Sequence, residues 1–337
     1  MRRWLRYVAL GLGAIAALVL LVGVIYEQNG HRIAARDYPP RGRLVDIGGR
    51  RLQLDCRGAG SPTIVFESGL ALDGSLSWAL VHDSIARFTR ACAYSRAGLL
   101  WSDPRAGPQT GSSVAEDLHA LLRAAGEAPP LVLVGHSSGG AYVVAYTQRY
   151  GGDVAGLVLV DASHPDQVAR FREVTPVTLH QSMRGPAIAS RFAWTGLVRM
   201  ATSGMPGQPH EPVEVTRTKA AYASTSLKAV VKEANGLDAT FAEVGRAHQL
   251  GERPLFVLTA GAPTPADELK AMQMTPAQGQ RRKEIWIALQ NEEAGWSSHS
   301  QHTVVDDATH AIQLDRPDVV IAAVRSVVDS VRARRGP

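Results

Sequence analysis

Five short runs, Thr63 to Phe66, Cys92 to Tyr94, Leu131 to Val134, Leu157 to Val160 and Leu255 to Thr259, are apolar without polar alternation. A strand with one wet face alternates, whereas a strand buried on both faces does not. Helical patterns such as Trp78 to Phe88 and Val114 to Ala125 separate the runs. Together they predict an α/β fold: a mostly parallel sheet covered by helices on both faces. A chain of 337 residues with 45% hydrophobic content is long and apolar enough for a sizeable core. Its net charge of +5 is spread without a basic run, which gives nucleic-acid binding no support.

The run Leu131 to Val134 leads into Gly135-His136-Ser137-Ser138-Gly139, and a helical stretch, Ala141 to Tyr150, follows. A serine lifted clear of a sheet needs a turn so sharp that the flanking positions have no room for side chains, and glycine supplies that. Ser137 is therefore a candidate nucleophile. Glycine and serine also fill ordinary turns, but here the strand before and the helix after match what a nucleophile turn requires. A far-downstream histidine is the second requirement, and His310 meets it, just past the strand-like run Thr303 to Val305.

Around these residues the chain resembles the α/β-hydrolase superfamily, in its serine-hydrolase (esterase/lipase-like) branch with an inserted cap. The resemblance is carried by Val65-Phe66-Glu67-Ser68-Gly69-Leu70, Ala93-Tyr94-Ser95-Arg96-Ala97-Gly98, Val134 to Gly140, Leu157 to Asp161 and Thr309-His310. Two positions depart from the pattern: Ser95 stands where relatives carry aspartate, and Ser68 where they carry histidine. The resemblance implies a core of residues 44–165 and 251–337, a helical cap over 166–250 and a site needing no cofactor. The cap would roof the nucleophile, with Phe171, Phe192, Trp194, Leu197, Met200 and Tyr222 among residues able to line it or simply to pack its helices together.

For the acid that orients His310, two aspartates follow neighbouring strands. Asp161, directly after Leu157 to Val160, stands where some relatives carry the acid; Asp267 follows the next strand, the more common location, but six residues past Gly261, so Asp161 is favoured and Asp267 is the alternative. The backbone amides of Ser138 and Leu70 are the expected oxyanion donors. Arg96 is either a brace for these loops or a surface residue. His299 and His302 lie near the amino end of the last strand, away from the site, and without further ligands do not make a metal pair. The implied reaction is cleavage of a small acyl ester through an acyl-enzyme. Amide cleavage of an aminopeptidase-like kind, and a non-catalytic binding role on the same scaffold, are the alternatives.

Before the core lies Val8 to Ile25, an apolar run of 18 residues flanked by Trp4, Tyr7 and Tyr26. At 1.5 Å per residue it spans about 27 Å, close to a bilayer's hydrocarbon core. The run exceeds the apolar region of a cleaved signal peptide, and Tyr26-Glu27-Gln28-Asn29 is a poor cleavage site, so an uncleaved membrane anchor over residues 1–27 is expected. Residues 28–43, with Asn29-Gly30 and Pro39-Pro40, read as a linker. Arg2, Arg3 and Arg6 precede the span and place the N-terminus in the cytoplasm and the enzyme outside, a bias diluted by Arg32 and Arg36. The two cysteines, Cys56 and Cys92, fall on strands that the family's sheet order makes antiparallel neighbours. They form either a disulfide or two buried thiols.

Overall fold

The computed structural model describes residues 2–246 and 248–335. Met1, Ala247, Gly336 and Pro337, which fall in the expected anchor, cap and core segments, lie outside the described residues. The strands are β1 (Arg43–Asp46), β2 (Arg51–Arg57), β3 (Thr63–Glu67), β4 (Ala91–Ser95), β5 (Leu131–His136), β6 (Val154–Val160), β7 (Leu255–Ala260) and β8 (Ser300–Val305). They form one eight-stranded sheet in the order β1-β2-β4-β3-β5-β6-β7-β8. β2 runs antiparallel to β1 and β4, and the pairs from β4 to β8 are parallel. The hairpin between β1 and β2 turns on Gly48 and Gly49, both at positive φ, with their amides donating to Asp46 Oδ1.

The central strands bury both faces, which is why their sequences do not alternate. Val65, Leu133, Leu159 and Val257 face one apolar cluster with the helices Gly111–Ala125 and Ser138–Tyr150. Ile64, Phe66, Val134, Val158 and Leu258 face the other, closed by Val320, Val324, Val327 and Val331 of the helix Pro317–Arg335. At about 1.5–3 kcal/mol per fully buried aliphatic side chain, these two layers dominate the favourable side of folding. Cys56 and Cys92 are cross-strand partners on β2 and β4 and are joined by a disulfide.

Between β6 and β7 the described residues form helices and turns, ending in the long helix Val213–Val244. At the N-terminus one helix runs from Arg2 to Asp37, about 54 Å at 1.5 Å per residue. It is long and apolar enough to cross a membrane, and no residue of its most apolar window is buried. The linker expected over 28–43 is therefore corrected, because the helix continues through its first ten residues. Asn29-Gly30 does not break it. Gly30 lies where a Cβ would stand 2.2 Å from Arg199 Nε, so the missing side chain permits packing rather than a turn. Glu27 is buried beside it, both its oxygens 3.0 Å from Arg199, and Tyr222 OH donates to the carbonyl of Tyr38.

Candidate active site

β5 ends at His136, the helix Ser138–Tyr150 begins at once, and Ser137 is the whole turn between them. Its backbone sits at φ 54°, ψ −127°, a conformation that costs a non-glycine residue roughly 1–3 kcal/mol and has to be held by its surroundings. The flanking glycines show what holds it. A Cβ on Gly135 would lie 2.6 Å from the Gly139 carbonyl oxygen, and one on Gly139 would lie 2.4 Å from that of Glu67. The turn closes only because both side chains are absent.

His310 stands over this turn on the loop after β8. Its Nε2 is 2.9 Å from Ser137 Oγ, and its Nδ1 is 2.6 Å from Asp161 Oδ2. His136 Nε2 donates to the His310 carbonyl at 2.9 Å, which pins the loop from below. Burial and the neighbouring His310 push the His136 pKa down to about 3, so this imidazole is neutral and serves as a fixed donor. Asp161, the first residue past β6, is also at positive φ and is buried. Its Oδ1 accepts from the Ala260 amide at 2.8 Å and from Trp286 Nε1 at 2.7 Å. Burial alone would raise its pKa, but the hydrogen bonds from His310, Trp286 and Ala260 outweigh it and hold the carboxyl below its usual range.

Asp267 is not part of this arrangement. It is exposed in the first turn of the short helix Ala266–Ala271. β8 begins at Ser300, earlier than its sequence suggests, so His302 is a mid-strand residue bonded to Thr259 Oγ1, and His299 pairs with Ser298. Trp286, from the helix Pro276–Ala294, had no sequence signal: it is a lone tryptophan in a mostly polar helix.

On the other side of Ser137 runs the Ser68-Gly69-Leu70 loop, where a Cβ on Gly69 would be 3.0 Å from that of Ser137. Arg96 proves to be a brace and not a surface residue. It is buried, and it donates to the carbonyls of Ser68 and Gly69 at 2.7 and 2.8 Å. Because a trans peptide sets N–H opposite C=O, holding the Gly69 carbonyl turns the Leu70 amide away from Arg96. The Ser138 amide, at the start of its helix, has no intrahelical acceptor. Arg96 is itself held by Glu67 and by both oxygens of Glu233, at 2.9 and 2.7 Å, with Tyr94 bonded to Glu67. Ser95, in the place of the family's aspartate, donates to Gln53 Oε1.

The site is open on its histidine side, where the His310 side chain is 51% exposed. A cavity of about 100 Å³ adjoins it, lined by Asp161, Pro263, Arg282, Trp286 and His310. A larger one, about 650 Å³, lies between the N-terminal helix and the Val213–Val244 helix, lined by residues including Glu27, Trp101, Tyr222 and Lys228 and by none of Ser137, Asp161 and His310. The cluster of His164, Asp166 and Glu292 has the spacing of a metal site. Two of its donor atoms are already engaged: His164 Nδ1 accepts from the Asp166 amide, and Glu292 Oε1 pairs with Arg170.

Known proteins share this framework. The chain is 25% identical over 163 residues to the uncharacterized protein YbdG of Bacillus subtilis, an alignment spanning 47% of this chain and 50% of YbdG. It is 26% identical over 283 residues to the uncharacterized protein YqjL of the same organism, spanning 82% of this chain and 90% of YqjL. The solved structure of a thermophilic esterase from Thermogutta terrifontis superposes with a TM-score of 0.58 at 20% identity, over 86% of this chain and 98% of that one, a likeness of fold. The family described as "Alpha/beta hydrolase family" matches residues 55–323, from within β2 into the last helix, so β3 to β8 and the loops that meet at Ser137 fall within it, and the chain belongs to that family.

Proposed function

We propose that the chain is a serine hydrolase that cleaves carboxylic esters, with Ser137 as nucleophile, His310 as base and Asp161 as the acid that orients it. One observation carries this reading: a single imidazole lies 2.9 Å from a serine hydroxyl on one side and 2.6 Å from a buried carboxylate on the other. Ser137 Oγ attacks the ester carbonyl as His310 Nε2 takes its proton, and Asp161 stabilises the imidazolium that forms. The amides of Ser138 and Leu70 donate to the tetrahedral oxyanion. Collapse expels the alcohol, protonated by His310, and leaves an acyl group on Ser137. Water then repeats the sequence, with the half-exposed His310 as its base. The ester class is supported by the esterase among the structures of like fold.

The long apolar helix serves in this reading as an uncleaved membrane anchor, its N-terminus cytoplasmic and the hydrolase outside. Arg3 and Arg6 before the span support that orientation. The Cys56–Cys92 disulfide supports it independently, since such bonds persist in oxidising compartments. Non-reducing mass spectrometry on protein from its native membrane is the check, and free thiols there would argue for the opposite side.

Ser137→Ala and His310→Ala should each abolish hydrolysis of short-chain aryl esters while leaving the circular dichroism spectrum unchanged. Either variant retaining full turnover would refute the mechanism.

A further inference from the structure

The segment Arg184–Thr202 exposes its large apolar side chains to an extent unusual for a protein surface in water. Three of its polar side chains, Ser190, Thr195 and Arg199, are buried, while Arg184 and Arg191 are exposed. Its large apolar ones point outward, with Ile188, Phe192, Trp194, Leu197 and Met200 all between 49% and 61% exposed. Scattered exposed apolar residues are ordinary, but a contiguous apolar face over a polar interior marks an interaction surface.

Where this segment touches the N-terminal helix identifies its partner. The turn Ala193–Thr195 presses on Gly23, where a Cβ would stand 2.3 Å from the Thr195 carbonyl oxygen. Gly196 in turn meets the Gly23 carbonyl and the Tyr26 ring. The Arg199–Glu27 ion pair fixes the contact one turn further along the helix. Gly23 lies inside the apolar run Val8 to Ile25, two residues before its end. That run is already slightly short of the roughly 30 Å hydrocarbon core, so it has no turn to spare for lifting Gly23 into water. A segment packed on Gly23 therefore sits at the outer edge of the same apolar layer.

From this geometry we infer that the Phe192–Met200 face is a second membrane contact, a patch of the inserted helices that dips into the bilayer surface beside the spanning helix. Trp194 occupies the depth at which interfacial aromatics collect, and the exposed Arg191 is positioned for lipid phosphates. The N-terminal helix then does more than tether: it sets the height of the inserted helices, and two anchoring points prevent the hydrolase from swinging about a single one. The inference rests on reading that helix as a membrane span, and it is independent of the chemistry at Ser137.

Spin labelling of the full chain in phosphatidylcholine–phosphatidylglycerol vesicles tests it. The two native cysteines are paired and do not react, so Leu197→Cys and Met200→Cys each give one nitroxide. Leu18→Cys in the span and the exposed Ser298→Cys, just before β8, serve as references. The expected result is an oxygen-to-nickel-chelate collision ratio at 197 and 200 several-fold above that at 298 and approaching that at 18. Water-like ratios at 197 and 200 with a lipid-like ratio at 18 overturn the surface alone. A water-like ratio at 18 as well overturns the span and the surface together. Low collision with both reagents at 197 and 200 means that protein covers the face, which overturns the proposal in favour of a second copy.

Discussion

The site residues and the inserted helices obey different rules. Ser137, Asp161, Ser68 and Arg96 each lie one residue beyond a strand end, on β5, β6, β3 and β4, and His310 is on the loop that leaves β8. Parallel strands bring those ends to one edge whatever their side chains are, so position along the strand dictates place in the site. In the helices between β6 and β7 the same kind of reading fails. Phe192, Trp194, Leu197 and Met200 belong by hydrophobicity in an interior, yet they face out, while Arg199 is inside with Glu27. A helix face is decided by its partner, and here the partners are a second helix and, as inferred above, lipid. Local order suffices for the site; for the helices it does not.

The sharpest way to test the strand-end rule is to change the two aspartates. Asp161→Asn keeps the shape but loses the charge opposite the imidazolium, and turnover of an aryl ester should fall on the order of 10⁴-fold. Asp267→Asn should leave turnover unaltered. Comparable losses in both would mean that the histidine is oriented from elsewhere.

Arg96 tests whether the strand ends need support from the inserted helices. Arg96→Met leaves Glu67 and Glu233 buried without their cation, and breaking such a buried pair costs about 3–5 kcal/mol. Urea unfolding should show that loss, and activity should fall with it as the Ser68–Gly69 carbonyls are released. Glu27→Gln is the counterpart on the helix side. It weakens the Arg199 contact and should lower the unfolding midpoint of the full chain in detergent by somewhat less, because Arg199 keeps the Ala221 carbonyl and Ser224. Turnover should stay near wild type, since no atom of that pair approaches Ser137.

A smaller effect is expected from Trp286, the helix-borne member of an otherwise strand-borne site. Trp286→Phe removes one hydrogen bond to a carboxylate, worth about 1.5–3 kcal/mol, or roughly ten- to a hundredfold in turnover. That bond helps to hold the Asp161 pKa down. Removing it lets the pKa rise, so the acid limb of the rate profile should move to higher pH, with activity recovered as pH increases. A loss of turnover with an unmoved acid limb would show that Trp286 only packs.

Much of this was readable from the chain. Both-face burial explains why β3 to β7 appear as unalternated runs, and the glycines of the serine turn are demanded by contacts with the Gly139 and Glu67 carbonyls. Glu233 and Trp286 were not readable, because each reaches the site from a helix face that no motif marks. The linker reading of 28–37 failed for a related reason: Asn29-Gly30 breaks an isolated helix, but a glycine under Arg199 is where a packed one can approach. The departures at Ser68 and Ser95 prove compatible with an ordered loop, since Arg96 holds the backbone carbonyls directly and Ser95 finds Gln53.

The central claim is that Ser137 is activated as a nucleophile by the His310–Asp161 pair. A fluorophosphonate probe reads this without any knowledge of the natural substrate, since it reacts covalently only with an activated serine. Intact-mass and peptide mapping of the full chain should show one adduct, on the peptide carrying Ser137, absent in Ser137→Ala and strongly slowed in His310→Ala. No adduct on the folded wild-type chain, or an adduct on any other residue, would contradict the account.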